Sequence, residues 1–302
     1  MSVPVGIVGG GSFGRALTDA ALRNGEARQW SRRERDAAHC TTDIAELAAC
    51  ELIFVSVPSM HVPAVAELLA PHLDGRHFLV HVSRGLIGDE LSTVSRHLRM
   101  NTPARRVGCL AGPLSPRVLT DAAPGGGVVG TQFPEVADAV REAIAGVTLR
   151  LYDTSDIVGV EVASAMVGLL AMQAGFCLER SIDPSAMAVM MNRGLAEAAR
   201  VGEKLGAVEA TFHGMAGAGD LFAAVGGDER AEVRLGRALA RSFDVEAAGK
   251  EAGAYIEGLT IARRVASFAE RTGVEAPIAA MTAEVLDGNV SIEEGLGKLM
   301  SR

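Results

Sequence analysis

The first half of the chain alternates between short apolar runs and stretches in which apolar residues recur at helical spacing. The apolar runs predict strands over 3–8, 52–57, 78–82, 107–111, 128–130 and 148–151, with a further strand that ends at Trp30. The stretches with helical spacing predict helices over 12–24, 43–50, 62–69 and 135–145. Alternation of this kind is typical of a mainly parallel sheet that is covered by helices.

The pattern changes at Ser155, after which strand-like runs disappear and Ala-rich helical stretches continue to the C-terminus. Helices are predicted over 158–179, 184–205, 208–213, 230–240, 245–252, 255–272, 276–287 and 292–300. Gly217, Gly219, Gly226 and Gly227 mark a predicted loop between two of these helices. We therefore expect an α/β domain over 1–154 and an all-α domain over 155–302, which suits a chain of 302 residues.

Composition excludes several functional classes. The formal net charge of −8 gives no general attraction to nucleic acid or to an anionic membrane, because both normally require a basic face. The four cysteines lack the spacing of a metal site and predict reduced core thiols. No uncharged stretch reaches the roughly 20 residues that cross a bilayer, and the N-terminal residues lack a signal-peptide pattern. A cytoplasmic protein without a metal is expected.

One apolar segment needs its own interpretation. Residues 159–175 carry a single charge, on Glu161, and 162–178 come closest to the length of a membrane span. The Ala, Gly, Ser and Gln residues of this segment favour a buried helix of a soluble protein.

A glycine-rich segment, GIVGGGSFGRAL, runs from the end of the first predicted strand into the first predicted helix. Its Gly9, Gly11 and Gly14 have the spacing GxGxxG, which permits a tight turn, a close approach of backbone to a pyrophosphate, and close packing of helix on strand. The N-terminus of the helix then presents free N–H groups to the phosphates. The segment predicts a Rossmann-like dinucleotide-binding domain, although an ordinary glycine turn would fit the same residues.

The residues after the second strand bear on the choice of cofactor. NAD-preferring proteins often place Asp or Glu there to bind the ribose hydroxyls, whereas this chain has Arg32 and Arg33. A guanidinium suits a ribose 2′-phosphate, so NADP is the expected cofactor and NAD the alternative. A solvated basic turn is the competing interpretation. Pro58, which ends the third strand in VSVPSMHVP, is expected near the cofactor at the carboxyl edge of the sheet.

These segments, taken together, resemble the NAD(P)-dependent glycerol-3-phosphate dehydrogenases. The resemblance rests on GIVGGGSFGRAL, WSRRE, VSVPS, VSRGL, AGPLSPRVL, DIVGVEVASAM, NRGLAEAARVGEKLGA, TFHGMAGAGDL and IEGLTIARRVASFAERTGVEAPI, in this order over nearly the whole chain. It implies a Rossmann-like N-terminal domain, a helical C-terminal domain of the type found in 6-phosphogluconate dehydrogenase, and often a homodimer. It also implies the interconversion of dihydroxyacetone phosphate and sn-glycerol 3-phosphate.

The resemblance also assigns residues to the two ligands. On the cofactor side it assigns Gly9, Gly11, Ser12, Phe13, Gly14, Arg32, Arg33 and, toward the nicotinamide half, Glu257. Asp220 in GAGDL matches an aspartate that helps to hold the substrate and the reactive amine.

The chain departs from the family on the catalytic side. Val167 takes the position of the lysine that acts as general acid and base, and Arg84 replaces a second lysine. An isopropyl group cannot transfer a proton, whereas a guanidinium can still bind a phosphate or carboxylate. Gapless counting puts Ala224, Asp228 and Glu229 in the region where relatives have a threonine and an Arg-Asn pair for the substrate phosphate. Arg230 or Arg234 would substitute if this loop is shifted.

Three hypotheses follow. The first is an NADP-dependent oxidoreductase with a changed, small and anionic substrate, in which Arg84 and Arg230 bind the anion and Asp220 or a histidine, His81 or His213, moves the proton. The second is an NADP(H)-binding sensor or regulator without turnover. The third is a slow glycerol-3-phosphate dehydrogenase that uses Lys204 or Arg230. For His81 and His213, burial with a backbone hydrogen bond is the competing interpretation.

Overall fold

The computed structural model describes residues 4–34, 36–227, 230–253 and 257–300. The chain divides into two compact units, which consist of Met1–Arg84 with Thr93–Glu161 and of Gly85–Ser92 with Val162–Arg302. The α/β architecture of the first unit and the helical architecture of the second confirm the predicted fold class.

The first unit is built on one sheet of eight strands. Its strands are β1 (Val5–Val8), β2 (Ala27–Trp30), β3 (Cys40–Thr41), β4 (Leu52–Val55), β5 (Phe78–His81), β6 (Arg106–Ala111), β7 (Gly125–Thr131) and β8 (Leu149–Thr154). The order is β3-β2-β1-β4-β5-β6-β7-β8, and every neighbouring pair is parallel except β6 and β7. The strand order reverses direction between β1 and β4, which is where sheets of this type bind their ligands.

Five α-helices accompany the sheet in the part of this unit that the structure describes. They are α1 (Ser12–Asn24), α2 (Val62–Leu69), α3 (Val94–Asn101), α4 (Pro116–Leu119) and α5 (Pro134–Ile144). Apolar residues of α1 and α5 share one buried cluster with residues of the central strands, among them Leu17, Val140 and Phe54. Helices α1 and α2 each bury apolar residues along one side, which explains why the helical spacing identified both with their observed ends.

The sequence pattern predicted one element of this unit wrongly and did not predict three others. The segment predicted as a helix over 43–50 is a 3₁₀ helix, Ile44–Ala49, and β3, α3 and α4 were not predicted. Strand β7 begins at Gly125, three residues earlier than expected, and packing explains the glycines at positions 125 and 127. A Cβ atom on Gly125 would lie 2.6 Å from the side chain of Val118, and one on Gly127 would lie 2.6 Å from Leu114.

The second unit is helical in all of its described elements longer than a turn. Its α-helices are α6 (Ile157–Glu179), which begins in the first unit, α7 (Pro184–Lys204), α8 (Glu209–Phe212), α9 (Asp220–Val225), α10 (Ala231–Arg241), α11 (Val245–Ala252), α12 (Gly258–Thr272), α13 (Pro277–Leu286) and α14 (Ile292–Met300). Each helix predicted for the second half has a counterpart here, although positions 255 and 256 of one prediction lie outside the described residues. The loop predicted around Gly217 and Gly219 is wrong, because a π-helical turn, Met215–Gly219, leads directly into α9.

Helix α6 is the one described helix that is long and apolar enough to cross a membrane. In this protein 89% of its most apolar window is buried within the structure, as in the core helix of a soluble protein. Its apolar character is therefore explained by packing.

A buried carboxylate connects α7 to α13. Both oxygens of Glu197 accept hydrogen bonds at the N-terminus of α13, from the backbone N–H groups of Ile278 (2.7 Å) and Ala279 (2.8 Å). Burial raises the pKa of Glu197, while these two donors act in the opposite direction. The contact satisfies two of the N–H groups that a helix leaves open at its start.

Candidate cofactor and substrate sites

The glycine segment forms a tight turn between β1 and α1, in which two of the three glycines are required by the fold. Gly9 has φ of 119°, and a Cβ atom there would lie 2.2 Å from the carbonyl oxygen of Ser56. A Cβ atom on Gly14 would lie 2.2 Å from the carbonyl oxygen of Gly9. Any side chain at either position would collide with backbone.

Gly11 differs from the other two glycines because a Cβ atom there would meet no protein atom within 4 Å. Internal packing therefore does not explain the glycine. Gly11 is also the N-cap residue of α1, and no side chain caps this end of the helix or places an acidic group in its first turn. Open space in front of uncapped N–H groups is what a diphosphate requires.

Side-chain hydrogen bonds hold this turn in place. The Nε2 atom of Gln29, a residue of β2, donates to the carbonyl oxygen of Gly9 at 3.0 Å, and Thr18 Oγ1 donates to that of Gly14 at 2.8 Å. Ser12 is exposed at the start of α1, while Phe13 is half-buried against the core. The residues of the predicted phosphate site thus lie together on one preorganised turn.

Arg32 and Arg33 follow the end of β2 and are exposed. The strand end itself is anchored, because Trp30 is buried and its Nε1 donates to the carbonyl oxygen of Thr42 at 3.0 Å. Within the described residues, neither guanidinium forms an ion pair with a carboxylate. Exposed guanidinium groups at this place suit an anionic ligand.

Pro58 and Arg84 follow the ends of β4 and β5, at the same carboxyl edge of the sheet. Pro58 begins a short 3₁₀ helix, Ser59–His61, and the Ser83 hydroxyl donates to the carbonyl oxygen of Val57 at 2.7 Å, which ties the two loops together. Arg84 is half-buried, and one of its contacts is a hydrogen bond from Nη2 to the carbonyl oxygen of Gly112 at 3.4 Å.

His81 lies inside the first unit and is fully buried. Its Nε2 is 2.8 Å from Oε1 of Glu161, a carboxylate that also accepts hydrogen bonds from the backbone N–H of Ser95 (2.9 Å) and from the Ser95 hydroxyl. Burial opposes protonation of His81, but Cys109 and the Glu161 carboxylate outweigh it and raise its pKa to about 10. The imidazole therefore carries a proton at neutral pH and is held as one partner of a buried ion pair.

Asp220 lies in the second unit at the start of α9, where its side chain is 2% exposed. Arg230 Nη1 is 3.1 Å from Asp220 Oδ1, and Arg230 Nε is 3.5 Å from Glu232 Oε2. Burial opposes the charge of Arg230, but the two carboxylates raise its pKa above its ordinary value. The three side chains form a largely buried charged cluster, in which Asp220 is buried, Arg230 and Glu232 are half-buried, and Arg230 stays protonated. Asp228 and Glu229, which gapless counting placed in this region, lie outside the described residues.

Val167 is a core residue. It is fully buried and shares an apolar cluster with Leu170, Leu195, Leu221 and Ile278. The neighbouring Gly168 lies beside the charged cluster, since a Cβ atom there would be 3.8 Å from Glu232 Oε1. Among the described residues that make up this cluster there is no lysine.

The remaining candidates are Glu257, His213 and the lysines. Glu257 is 8% exposed and immediately precedes α12, whose Gly258 packs against the backbone of Gly168. His213 is exposed and lies 3.9 Å from Glu209. The three lysines of the chain, Lys204, Lys250 and Lys298, are all exposed on helices of the second unit. None of them occupies the buried surroundings of Asp220.

Sequence reasoning missed two carboxylates that the structure places at these sites. Glu161 was visible as the lone charge in an apolar segment, which signals a buried pair, but its partners His81 and Ser95 are distant in sequence. Glu232 gave no signal, because an acidic residue in an amphipathic helix is ordinarily exposed. The described residues contain no group of three or more His, Cys, Asp or Glu side chains that could hold a metal ion.

Comparisons with known proteins agree over the full length of the chain. Residues 35–131 and 156–297 match the family models described as the N-terminus and the C-terminus of NAD-dependent glycerol-3-phosphate dehydrogenase. The chain is 32% identical to glycerol-3-phosphate dehydrogenase [NAD(P)+] of Azorhizobium caulinodans, with 99% of this chain and 96% of that protein covered. It is also 32% identical to the protein of the same name from Synechococcus elongatus, at 98% and 95% coverage.

Solved structures agree on the fold. The crystal structure of glycerol-3-phosphate dehydrogenase from Coxiella burnetii superposes with a TM-score of 0.91 at 22% identity, covering 100% of this chain and 99% of that one. A ketopantoate reductase from Ralstonia eutropha shares the fold more distantly, with a TM-score of 0.60 and 14% identity.

The parallel sheet with its glycine turn, joined to a helical unit, defines a nicotinamide-nucleotide-dependent oxidoreductase fold. Within that class, the chain belongs to the NAD-dependent glycerol-3-phosphate dehydrogenase family.

Proposed function

We propose that this protein is an NADP(H)-dependent oxidoreductase of the family whose substrate is not dihydroxyacetone phosphate. The observation that carries the proposal is the position of Val167, which is fully buried in an apolar cluster where the resemblance places a lysine. Reduction of a ketone requires a hydride, which reduced nicotinamide supplies, and a proton for the oxygen. Loss of a positioned proton-transfer group costs about 10²- to 10⁴-fold in rate.

The charges of the second unit support a changed substrate. Asp220, Arg230 and Glu232 carry a formal net charge of −1, because two carboxylates surround one guanidinium. Such a cluster is a weaker phosphate site than an Arg-Asn pair, since a second carboxylate repels a dianion. We assign Arg84 and Arg230 as separate candidates for binding a singly charged anionic group, and Asp220 and His81 as separate candidates for proton transfer.

A second candidate function is NADP(H) binding without turnover. It is supported by the state of the proposed proton donors: His81 is fully buried and held by Glu161, and Asp220 is paired with a guanidinium that stays protonated. A protein with an intact cofactor turn and no available proton donor would serve as a sensor of NADP(H) or as a regulator.

Two measurements on the purified protein separate these functions. NADPH at millimolar concentration is expected to raise the melting temperature, because a ligand that binds only the folded state stabilises it. A panel of phosphorylated and carboxylated ketones, followed at the nicotinamide absorbance, then distinguishes an oxidoreductase from a sensor. Absence of any thermal shift would contradict both candidate functions.

The preference for NADP predicts a specific effect of the arginines. Arg32→Gln and Arg33→Gln are each expected to weaken NADPH binding about tenfold, since each removes a charge-assisted hydrogen bond to the 2′-phosphate. NADH binding should stay within about twofold, because NADH lacks that phosphate. Arg28→Gln is the matched control, as Arg28 already pairs with Glu46 at 3.4 Å. Equal losses for NADPH and NADH in the fluorescence titrations would argue against a 2′-phosphate site.

Val167→Lys tests the substrate proposal. We expect no gain in dihydroxyacetone phosphate reduction, because Asp220 is already paired with Arg230 and the new amine would enter an apolar cluster. The buried amine should also destabilise the protein by several kcal/mol, roughly the cost of an unpaired buried charge. Val167→Met is the uncharged control. A rise of about 100-fold or more in the rate with dihydroxyacetone phosphate would contradict the proposal, because it would mean that only the lysine was missing for that reaction.

The proposal includes the domain ranges, the assembly and the location. We propose 1–154 as the dinucleotide-binding domain, 155–302 as the helical domain, a homodimer in solution, and a cytoplasmic protein. Reduced thiols support the location, since Cys50, Cys109 and Cys177 are buried and all four cysteines are free. Sedimentation equilibrium of the full chain tests the dimer.

A further inference from the structure

Strand β8 lies at one end of the eight-stranded sheet and pairs on one side only, with β7. The backbone N–H of Gly125 donates to the carbonyl oxygen of Thr148 at 3.1 Å, and the parallel register then continues along β8 without a bulge. Because backbone groups alternate between the two sides of a strand, every second residue after Thr148 faces β7. The residues of β8 whose backbone groups face outward are Leu149, Leu151 and Asp153.

The outer edge of β8 is unprotected. The outward N–H and C=O groups form no hydrogen bond with any residue that the structure describes. No residue of β8 is buried, whereas every residue of the central strands β4 and β5 is. An unpaired strand edge invites pairing with another chain, so proteins usually protect it by a short strand, proline, lysine or a bulge. The opposite edge strand, β3, has only two residues, but β8 has six and none of these other features.

The side chains of β8 suit a second copy of the same strand. Its two charges are of opposite sign, and both already have partners within the chain. The Arg150 guanidinium carbon lies 5.7 Å from the centre of the Tyr152 ring, and Asp153 forms an ion pair with Arg141 of α5. The strand therefore has no net charge that would repel a second copy.

We propose that β8 is the surface through which two copies of this chain pair, as antiparallel strands related by a two-fold axis at Leu151. A two-fold axis perpendicular to the sheet keeps each side chain on its own face. Leu151 then lies opposite its own copy, and Leu149 lies opposite the second copy's Asp153. All outward residues thereby enter hydrogen-bonded pairs, in which two residues exchange both of their backbone hydrogen bonds.

Arg150 selects this register over its neighbours. With the axis at Leu151, Arg150 lies opposite the second copy's Tyr152 in a pair without backbone hydrogen bonds, where side chains come closest and a guanidinium can contact the ring. With the axis at Arg150, two guanidinium groups would face each other. With the axis at Tyr152, Arg150 would lie opposite Thr154. Either shift also places one outward residue of each strand opposite a residue beyond the strand.

The inference rests on the homodimer proposed above and is independent of the cofactor and the substrate. Two paired strands form a small interface, so we expect a dimer that dissociates on dilution. A dilution series of the full chain, followed by sedimentation equilibrium, therefore gives both monomer and dimer for comparison.

Amide hydrogen exchange, resolved to single residues across this dilution series, locates the interface. In the dimer the amides of Leu149, Leu151 and Asp153 should exchange at least about tenfold more slowly than in the monomer, because each gains a hydrogen bond. The amides of Arg150 and Tyr152 are the internal control, since they already face β7 and should change much less.

Side-chain variants test the register. Tyr152→Lys places a lysine opposite the second copy's Arg150 and should weaken the dimer about tenfold or more, through the loss of two ring contacts and the gain of two like-charge pairs. Leu68→Lys on α2 is the matched control, because Leu68 is 49% exposed and Tyr152 48%. The double variant Arg150→Glu with Tyr152→Lys should recover affinity, since only the Leu151 register places each glutamate opposite a lysine.

Three results would each overturn the proposal. The chain could stay monomeric at the highest concentration reached, or a dimer could form while the three outward amides exchange as they do in the monomer. The double variant could also dimerise no better than Tyr152→Lys alone. The second result would leave the proposed homodimer in place on another surface, and none of the three bears on NADPH binding.

Discussion

Glu161→Gln is expected to lower the free energy of unfolding by about 3–5 kcal/mol, the usual cost of removing one partner of a buried ion pair. Glu161 is 1% exposed. Its carboxylate pairs with the His81 imidazole and accepts hydrogen bonds from the backbone N–H and the hydroxyl of Ser95. Glutamine has the same shape but no charge, so the variant isolates the ion pair from packing. Denaturant unfolding followed by circular dichroism measures the effect.

Glu142→Gln on α5 is the matched control, since Glu142 is exposed and should change stability by no more than about 0.5 kcal/mol. The double variant His81→Gln with Glu161→Gln should recover part of the loss, because it leaves no unpaired charge in the core. A loss below about 1 kcal/mol in Glu161→Gln would show that the pair does not stabilise the fold.

The same pair predicts how stability depends on pH. The pKa of His81 is raised from 6.5 to about 10, so the folded protein binds this proton more tightly than the unfolded chain. The resulting stabilisation is complete below pH 6.5 and is lost as the pH rises through 10. Wild-type stability should therefore fall between these values more steeply than that of the His81→Gln, Glu161→Gln double variant.

The second large effect concerns the glycine turn, where Gly11→Ala and Gly14→Ala are expected to act in opposite ways. A methyl group on Gly11 meets no protein atom, so the stability of the Gly11→Ala variant should not change. The methyl group would, however, lie where the diphosphate approaches the backbone. If the collision between this methyl group and the diphosphate costs about 1–3 kcal/mol, as overpacking does, NADPH affinity falls by about 5- to 150-fold. A methyl group on Gly14 would lie 2.2 Å from the Gly9 carbonyl oxygen, so that variant should lose stability even without cofactor.

Parallel titration and thermal unfolding of the two variants separate these effects. The proposed cofactor site predicts weak binding with normal stability for Gly11→Ala, and lowered stability for Gly14→Ala. If Gly11→Ala binds NADPH as tightly as the wild type, the turn does not hold the diphosphate in the proposed way.

Much of the fold was accessible from the sequence because local patterning and tertiary burial coincide. The spacing of Ala16, Leu17 and Ala20 predicted α1 with its observed ends, since the same stripe packs against the sheet. Strand β7 was shortened in the prediction because three successive glycines disfavour a strand, whereas the close approach of Val118 and Leu114 explains two of them, Gly125 and Gly127. Helix α9 was missed because glycines precede it.

For the candidate site, the sequence alone determined the glycine spacing, the arginines after β2 and the absence of a lysine at position 167. Each of these features depends only on which residue type stands at a given position of a local motif. Only the tertiary structure decided what these residues contact: that Val167 is enclosed by apolar side chains, that Arg230 pairs with Asp220, and that His81 is buried against Glu161. These contacts join residues far apart in the chain, and the burial that gives them their strength exists only once the chain has folded.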